Sequence, residues 1–430
     1  MQRFFVQNFG CRASQADGAA LEAALENQGL SAAPEAAAAD VVVLNTCTVT
    51  AAADEDARRA IRRVKRDNPG ANILITGCYA QRAPRELAAI PGVTWVIGNS
   101  HKTEIPDILA GSSLPYHGAI HVEDIFSRAE FLAAPVEDAA GDRSRPNLKI
   151  QDGCNNRCSF CIIPFVRGRS RSAPAHQVIE QVRHLAARYK EVVLSGINLG
   201  RWGREPGSSM RLADLLRRLL DETPIRRIRL SSVEPMDFGD DLLRLMAESP
   251  RIAKHVHAPL QSGSDRVLRR MHRKYRPRHY QDRLVKARAW MPEAAIGADV
   301  MVGFPGETAE EFEQSRCFIE SLPFTYLHVF TYSERPGTPA AQAPDQVPVA
   351  IRKERNQILR DLAARKNLEF RRGMIGRTLS AVTLHEGALS DNFLKIDLAS
   401  PRPANELIDV RIGSLTSAGL REHDPLRVLA

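Results

Sequence analysis

The sequence predicts an α/β protein in three parts: a parallel-sheet α/β domain over residues 1–110, a partial (β/α)6 barrel over 146–370 and a small β barrel over 371–430, with 111–145 as a linker. Three observations carry this prediction. Short apolar runs alternate with helical stretches through most of the 430 residues, the pattern of parallel strands covered by helices. Cysteines recur directly after the predicted strands. Beyond Arg371 the helical period gives way to short alternating runs separated by turn residues.

The first strand is read at Phe4–Val6, leading to Gly10-Cys11 and a helical pattern (Ala19, Leu21, Ala24, Leu25) that stops at Gly29. Val41–Leu44 reads as a buried strand, followed by Asn45-Thr46-Cys47 and a helix through Ala60, Ile61 and Val64. Ile73–Thr76 is the third, running into Gly77-Cys78. Open parallel sheets bind ligands at the carboxyl ends of their strands, so three cysteines far apart in sequence can share one site. In the central part, strands are expected at Leu148–Gln151, Val192–Ser195, Ile228–Ser231, Lys254–Ala258, Ala298–Val302 and Tyr326–Phe330. The terminal runs are Leu379–Leu384, Phe393–Ile396 and Leu407–Ile412.

Composition excludes several classes. With 43% hydrophobic and 26% charged residues the chain can bury several cores, unlike a disordered or fibrous protein. No run is long enough to span a membrane and no signal-peptide core opens the sequence, which makes the cytoplasm the default expectation. Fifty-nine basic against 51 acidic residues, net +8, favour an anionic partner only modestly. Seven cysteines without a secretory signal point to metal or redox chemistry.

The strongest motif is Gly153-Cys154-Asn155-Asn156-Arg157-Cys158-Ser159-Phe160-Cys161, at the end of the first central strand. Three thiolates at this spacing can hold three irons of a [4Fe–4S] cube and leave the fourth open to a ligand, whereas zinc wants a fourth Cys or His that the neighbourhood lacks. The loop resembles that of the radical S-adenosylmethionine (SAM) superfamily, over roughly residues 146 to 340. That resemblance implies SAM on the open iron and its reductive cleavage to a 5′-deoxyadenosyl radical. It also implies SAM contacts from Ser195, Gly196, Asn198, Ser231, Glu234, Gln261 and Gly303. Gly10-Cys11, Asn45-Thr46-Cys47-Thr48-Val49-Thr50 and Gly77-Cys78-Tyr79-Ala80-Gln81 look like the N-terminal domain of the methylthiotransferases, which insert CH₃S into an unactivated C–H bond. The resemblance implies a second [4Fe–4S] cluster on Cys11, Cys47 and Cys78, and no catalytic residue beyond the cluster ligands.

Within that family the branches act on isopentenyladenosine in tRNA, on threonylcarbamoyladenosine in tRNA, or on an aspartate of a ribosomal protein. The cysteine motifs, with Gln151-Asp152-Gly153-Cys154 and Ile162-Ile163-Pro164-Phe165-Val166-Arg167-Gly168-Arg169-Ser170-Arg171-Ser172, most resemble the threonylcarbamoyladenosine branch. Ser14-Gln15-Ala16 departs from its usual pattern. The implied partners are tRNA and an electron donor of reductase or flavodoxin type. The terminal barrel would correspond to a TRAM domain, with Arg371, Arg372, Arg377, Lys395, Arg402 and Arg411 as its candidate RNA contacts. Two other basic sets are Arg58, Arg62 and Arg66 at helical spacing, and Arg167, Arg169 and Arg171 beside the cluster loop; the latter is the candidate cation for the threonylcarbamoyl carboxylate. Cys317, in a predicted helix beside Phe312, Phe318 and Ile319, reads as core. Two rival classes remain open, a non-catalytic iron–sulfur protein that binds RNA and a zinc-bound RNA adaptor. The chemistry favours radicals: carbon 2 of adenine has no acidic hydrogen for a side-chain base to remove.

Overall fold

The computed structural model describes residues 2–111, 118–127 and 144–424. The N-terminal domain is a six-stranded parallel sheet of β1 (Arg3–Asn8), β2 (Ser31–Ala32), β3 (Val41–Thr46), β4 (Asn72–Gly77), β5 (Val93–Gly98) and β6 (Ala119–His121), in the order β2-β1-β3-β4-β5-β6. Every residue of β3 and β5 is buried, so these central strands are apolar on both faces. Register decides where the cysteines fall. Asn8 pairs with Asn45, and Thr46 with Gly77, so β1, β3 and β4 end level and present Cys11, Cys47 and Cys78 along one edge. Two glycines permit this crowding. Gly77 has φ +96°, and a Cβ there would lie 2.3 Å from the Thr46 carbonyl; at Gly10, φ +93°, it would lie 2.5 Å from Cys47 Cβ.

Three of these six strands were expected from the sequence. The stretch read as a linker is partly sheet, because β6 pairs with β5 through Trp95↔Ala119 and Ile97↔His121. Residues 128–143 of that stretch lie outside the described residues.

The central domain has β7 (Asn147–Asp152), β9 (Glu191–Gly196) and β10 (Arg227–Leu230) in one parallel group, edged by the short antiparallel β8 (Arg171–Ser172). A second parallel group comprises β11 (His255–His257), β12 (Ala295–Val302) and β13 (Tyr326–Thr331). Ile228 bridges to Ile252 between the groups, giving the six-stranded partial barrel β7-β9-β10-β11-β12-β13. Alternate residues, among them Leu148, Ile150, Val192, Leu194, Ile228, Val256, Ile296 and Val300, form the core beneath the surrounding helices. Burial of each such side chain stabilises by roughly 1.5–3 kcal/mol. The period of two then turns Lys149, Gln151, Glu191, Ser195, Arg229, His255, His257, Asp299, Tyr326 and His328 into the lumen. This lumen is polar.

The C-terminal strands β14 (Thr378–Thr383), β15 (Ala388–Ser390), β16 (Lys395–Asp397), β17 (Leu407–Leu415) and β18 (Leu420–Glu422) close a barrel. It forms the floor of the lumen. Arg229 donates to the carbonyls of Ser390 and Asp391, both at 3.0 Å, Arg227 donates to Ser380 Oγ at 2.6 Å, and the Phe393 ring stacks on His255 at 4.4 Å. Three of its candidate RNA contacts are committed elsewhere: Arg371 is buried on the Thr416 and Gly419 carbonyls, Arg377 pairs with Glu293, and Arg402 with Glu422. Arg372, Lys395 and Arg411 are exposed.

The floor sets a pH dependence. Burial, with Arg229 close by, drives His255 well below its ordinary 6.5, so the folded protein holds it neutral. Its contribution is therefore present above about pH 6.5 and is lost as pH falls, because only the unfolded chain takes up the proton. Between pH 7 and pH 5 the loss should reach about 2 kcal/mol. Melting curves across that window should show a shallower pH slope for His255→Gln; equal slopes would refute the assignment.

Candidate active site

The Cys154 loop leaves β7 through Gly153, and the backbone N–H of Cys154 donates to the Gly168 carbonyl at 3.1 Å. Donors gather on its sulfurs. Cys154 Sγ accepts from the Asn156 N–H at 3.4 Å and from Asn198 Nδ2 at 3.8 Å, and Cys158 Sγ accepts from Arg273 Nη1 at 3.2 Å. Burial, and the neighbouring Cys158 and Cys154, push the Cys161 thiol up to about 12. Burial raises Cys154 as well, so without a cation the Cys154 and Cys161 thiols keep protons that a bound metal would displace.

Of the residues expected around SAM, the structure gathers some. Asn198 Oδ1 and Ser231 Oγ are buried without a partner among the described residues, as donors or acceptors awaiting a ligand would be. Glu234 Oε2 accepts from Arg273 Nη2 at 2.5 Å, and both line a cleft with Asn156, Cys158 and Tyr275. Gln261, at φ +64°, bridges to Val300 and accepts from the Met301 N–H. Ser195 Oγ faces the Leu148 carbonyl, and Gly196 packs where a Cβ would meet Gln151 Cβ at 2.8 Å. Gly303 is held by packing, since a Cβ would come within 2.4 Å of Arg352 Cγ. Arg273 was missed by the sequence reading; His272-Arg273-Lys274 looks like a solvated charge run until the fold turns its middle member onto Cys158.

Cys47 and Cys78 are buried and Cys11 is exposed. Burial, then Cys78 and Cys11, push the Cys47 thiol up to about 12, so the three sulfurs share one electrostatic site. Cys78 opens helix α3 (Cys78–Arg82) and packs against Ile162, which directly follows Cys161, and against Val166. Asn99 Nδ2 reaches both Cys78 Sγ at 3.7 Å and the Val166 carbonyl at 2.8 Å. The two cysteine sets are therefore linked through direct packing of α3 on the segment that follows Cys161.

The two domains are joined by buried charge. Asp17, on helix α1 (Arg12–Asn27), accepts from Lys102 at 3.2 Å, from Arg167 at 2.9 Å and from Lys149. Asp152 meets Lys149 at 3.1 Å, Arg167 at 3.0 Å and Arg171 at 3.6 Å. These cations hold both carboxyls well below the usual carboxylate range despite their burial. A second lock joins Asp54, on helix α2 (Ala51–Asp67), to Arg82 at 3.0 Å and Arg335 at 2.7 Å.

This corrects the expected RNA contacts. Arg167 is 2% exposed and bound to Asp17 and Asp152, and Arg171 donates to the Arg167 and Arg169 carbonyls; of the three only Arg169 is exposed. Arg58, Arg62 and Arg66 are paired with Glu86, Glu55 and Asp67 on the surface. Cys317 is not core. It is exposed beside Glu313 and Arg316.

The Radical SAM superfamily model matches residues 148–319, and that of Uncharacterized protein family UPF0004 matches residues 3–98. Threonylcarbamoyladenosine tRNA methylthiotransferase MtaB of Aquifex aeolicus is 37% identical, across 94% of this chain and 99% of its own. The protein of the same name from Bacillus subtilis is 42% identical across 80% of this chain and 77% of its own. A tRNA-2-methylthio-N(6)-dimethylallyladenosine synthase of Carboxydothermus hydrogenoformans is 32% identical across 87% and 86%. Among solved structures, the radical S-adenosylmethionine methyltransferase TsrM from Kitasatospora setae shares the fold, with a TM-score of 0.57 at 16% identity over 79% of this chain and 76% of that one.

Proposed function

Because the chain belongs to the radical SAM methylthiotransferase family, we propose that it adds CH₃S to carbon 2 of threonylcarbamoyladenosine beside the anticodon of tRNA. The observation that carries this reading is the packing of Cys78 on Ile162 and Val166, which brings the N-terminal cysteine set against the segment that follows Cys154, Cys158 and Cys161. Two [4Fe–4S] clusters and SAM, when bound, supply the carbon radical and the sulfur to be transferred.

The chain's own task is placement. Cys154, Cys158 and Cys161 would hold one cluster and Cys11, Cys47 and Cys78 the other. Asn198, Ser231 and Glu234 would orient SAM, with Arg273 fixing the carboxylate of Glu234. Buried ion pairs at Asp17 and Asp54 hold the two triads at a set separation, and a reacting group misplaced by an ångström loses orders of magnitude in rate. The anticodon loop suits this site because its unpaired bases can be splayed out, as bases in a duplex cannot. Among the described residues no helix is long and apolar enough to cross a membrane. A tRNA substrate supports a cytoplasmic location, and radical cleavage of SAM calls for an electron donor, for which a reductase or flavodoxin is our proposal.

The test gives reduced enzyme and SAM to matched tRNAs bearing threonylcarbamoyl, isopentenyl or no substituent, with the ribosomal protein as a fourth substrate. Mass spectrometry should find the methylthio product on the threonylcarbamoyl tRNA alone. Preference for another substrate would reassign the target.

A further inference from the structure

We infer that Arg12 is the residue that reads the carboxylate of the substituent on the target adenine. This rests on the function proposed above, and it replaces the Arg167, Arg169 and Arg171 set, whose first member the fold spends on Asp17 and Asp152.

Arg12 directly follows Cys11 and opens α1, and its carbonyl accepts from Asn147 Nδ2 at 2.7 Å, which anchors it against the start of β7. Its guanidinium has no hydrogen-bond or ion-pair partner among the described residues, although it lies largely buried beside Tyr326, Arg145, Arg229 and Glu191. Glu191, the carboxylate that acts on it, is already taken, and Glu386 lies on the wall of the cavity that Arg12 lines. Glu191 accepts from Arg229 at 2.7 and 3.2 Å and pairs with Arg145 at 3.3 Å and Arg227 at 3.7 Å. Asp299 is held at 3.2 Å by both His257 and His328. A cation among cations, only partly exposed and lacking an ion-pair partner among the described residues, is stabilised by a bound anion.

There is room for that anion. An open cavity of about 630 Å³ is lined by Arg12, Gln15, Ser144, Arg145, Asn147 and the Leu384–Glu386 loop. Ser144 Oγ and Asn147 Oδ1, both on its wall, are buried without partners among the described residues. A threonylcarbamoyl group brings a carboxylate, a hydroxyl and urea N–H donors, which match a guanidinium, a serine hydroxyl and an amide oxygen. An alkenyl group would leave all three unpaired, and a site with unpaired buried polar groups rejects such a ligand strongly.

The experiment compares threonylcarbamoyl-tRNA with the same tRNA carrying the methyl ester of that carboxylate. Wild-type enzyme should favour the free acid by tenfold or more in kcat/KM, expressed in KM, as expected for a charge-assisted hydrogen bond. Arg12→Met should erase the acid-over-ester preference and Arg12→Lys should keep part of it, with iron content at the wild-type level in both. A wild-type enzyme that turns over acid and ester equally well overturns the inference, a comparison that needs no variant to fold. So does an Arg12→Met enzyme that keeps the preference. Failure of wild-type enzyme to modify threonylcarbamoyl-tRNA at all would instead sink the target assignment, and the inference with it.

Discussion

Replacing Cys11, Cys47 and Cys78 together by Ala is expected to leave about four irons of eight per chain, to preserve SAM cleavage and to abolish methylthiolation. The expectation follows from the partition of the sites. The N-terminal triad lies at the ends of β1, β3 and β4, whereas Cys154, Cys158 and Cys161 take their sulfur donors from Asn156, Asn198 and Arg273 of the central domain. Cys47 and Cys78 are buried but small, and their loss opens space for about one sulfur each, a modest cost beside that of a large core residue. Iron assay, 5′-deoxyadenosine yield and tRNA nucleoside analysis on one preparation decide the matter. Full methylthiolation by the variant would remove the N-terminal triad from the reaction.

The second large effect is expected at Asp17. Asp17→Asn keeps the shape of the side chain and removes the charge that Lys102, Lys149 and Arg167 converge on, leaving Asp152 to face cations it cannot neutralise. Breaking a buried ion pair from one side costs about 3–5 kcal/mol. At about 1 °C per kcal/mol for a chain of 430 residues the melting temperature should fall by roughly 3–5 °C. Adding Lys102→Met, which removes one stranded cation, should restore part of the loss, because coupled neighbours are non-additive. Differential scanning calorimetry of the single and double variants measures both numbers, and a single variant that melts with the wild type would show the network to be ornamental.

Local signals and distant ones were not equally legible. The level strand ends of the N-terminal domain could be read from Val41–Leu44 and Ile73–Thr76 because a buried strand and the cysteine after it are neighbours in sequence. Val93–Gly98 escaped because a short apolar run reads equally as strand or buried helix, and β6 because three residues carry too little pattern. Cys317 could have been placed correctly: it stands five residues past Phe312, about 140° round the helix from the face that Phe312, Ser315 and Ile319 bury. Arg167 could not. Its partner Asp17 sits on another domain, and an arginine spells the same whether it meets a phosphate or a buried carboxylate. Arg12 was equally silent, since its lack of a partner is a property of the lumen and not of its neighbours in the chain.

The placement of Asp17 also bears on how the chain is made. Its partners emerge from the ribosome in the order Lys102, Lys149, Arg167, and the last follows it by 167 − 17 = 150 residues. At about 5–20 residues per second, that interval lasts roughly 8–30 s. During it the six strands of the first domain, complete by His121, can fold around Cys11, Cys47 and Cys78 while the central domain is still absent. In that interval Cys78 is not yet covered by helix Ile163–Arg167, and arrival of Arg167 closes that side with a buried ion pair. The spacing of these four charged residues thus gives the first domain, with its three cysteines, an interval in which to fold before Arg167 joins it to the second.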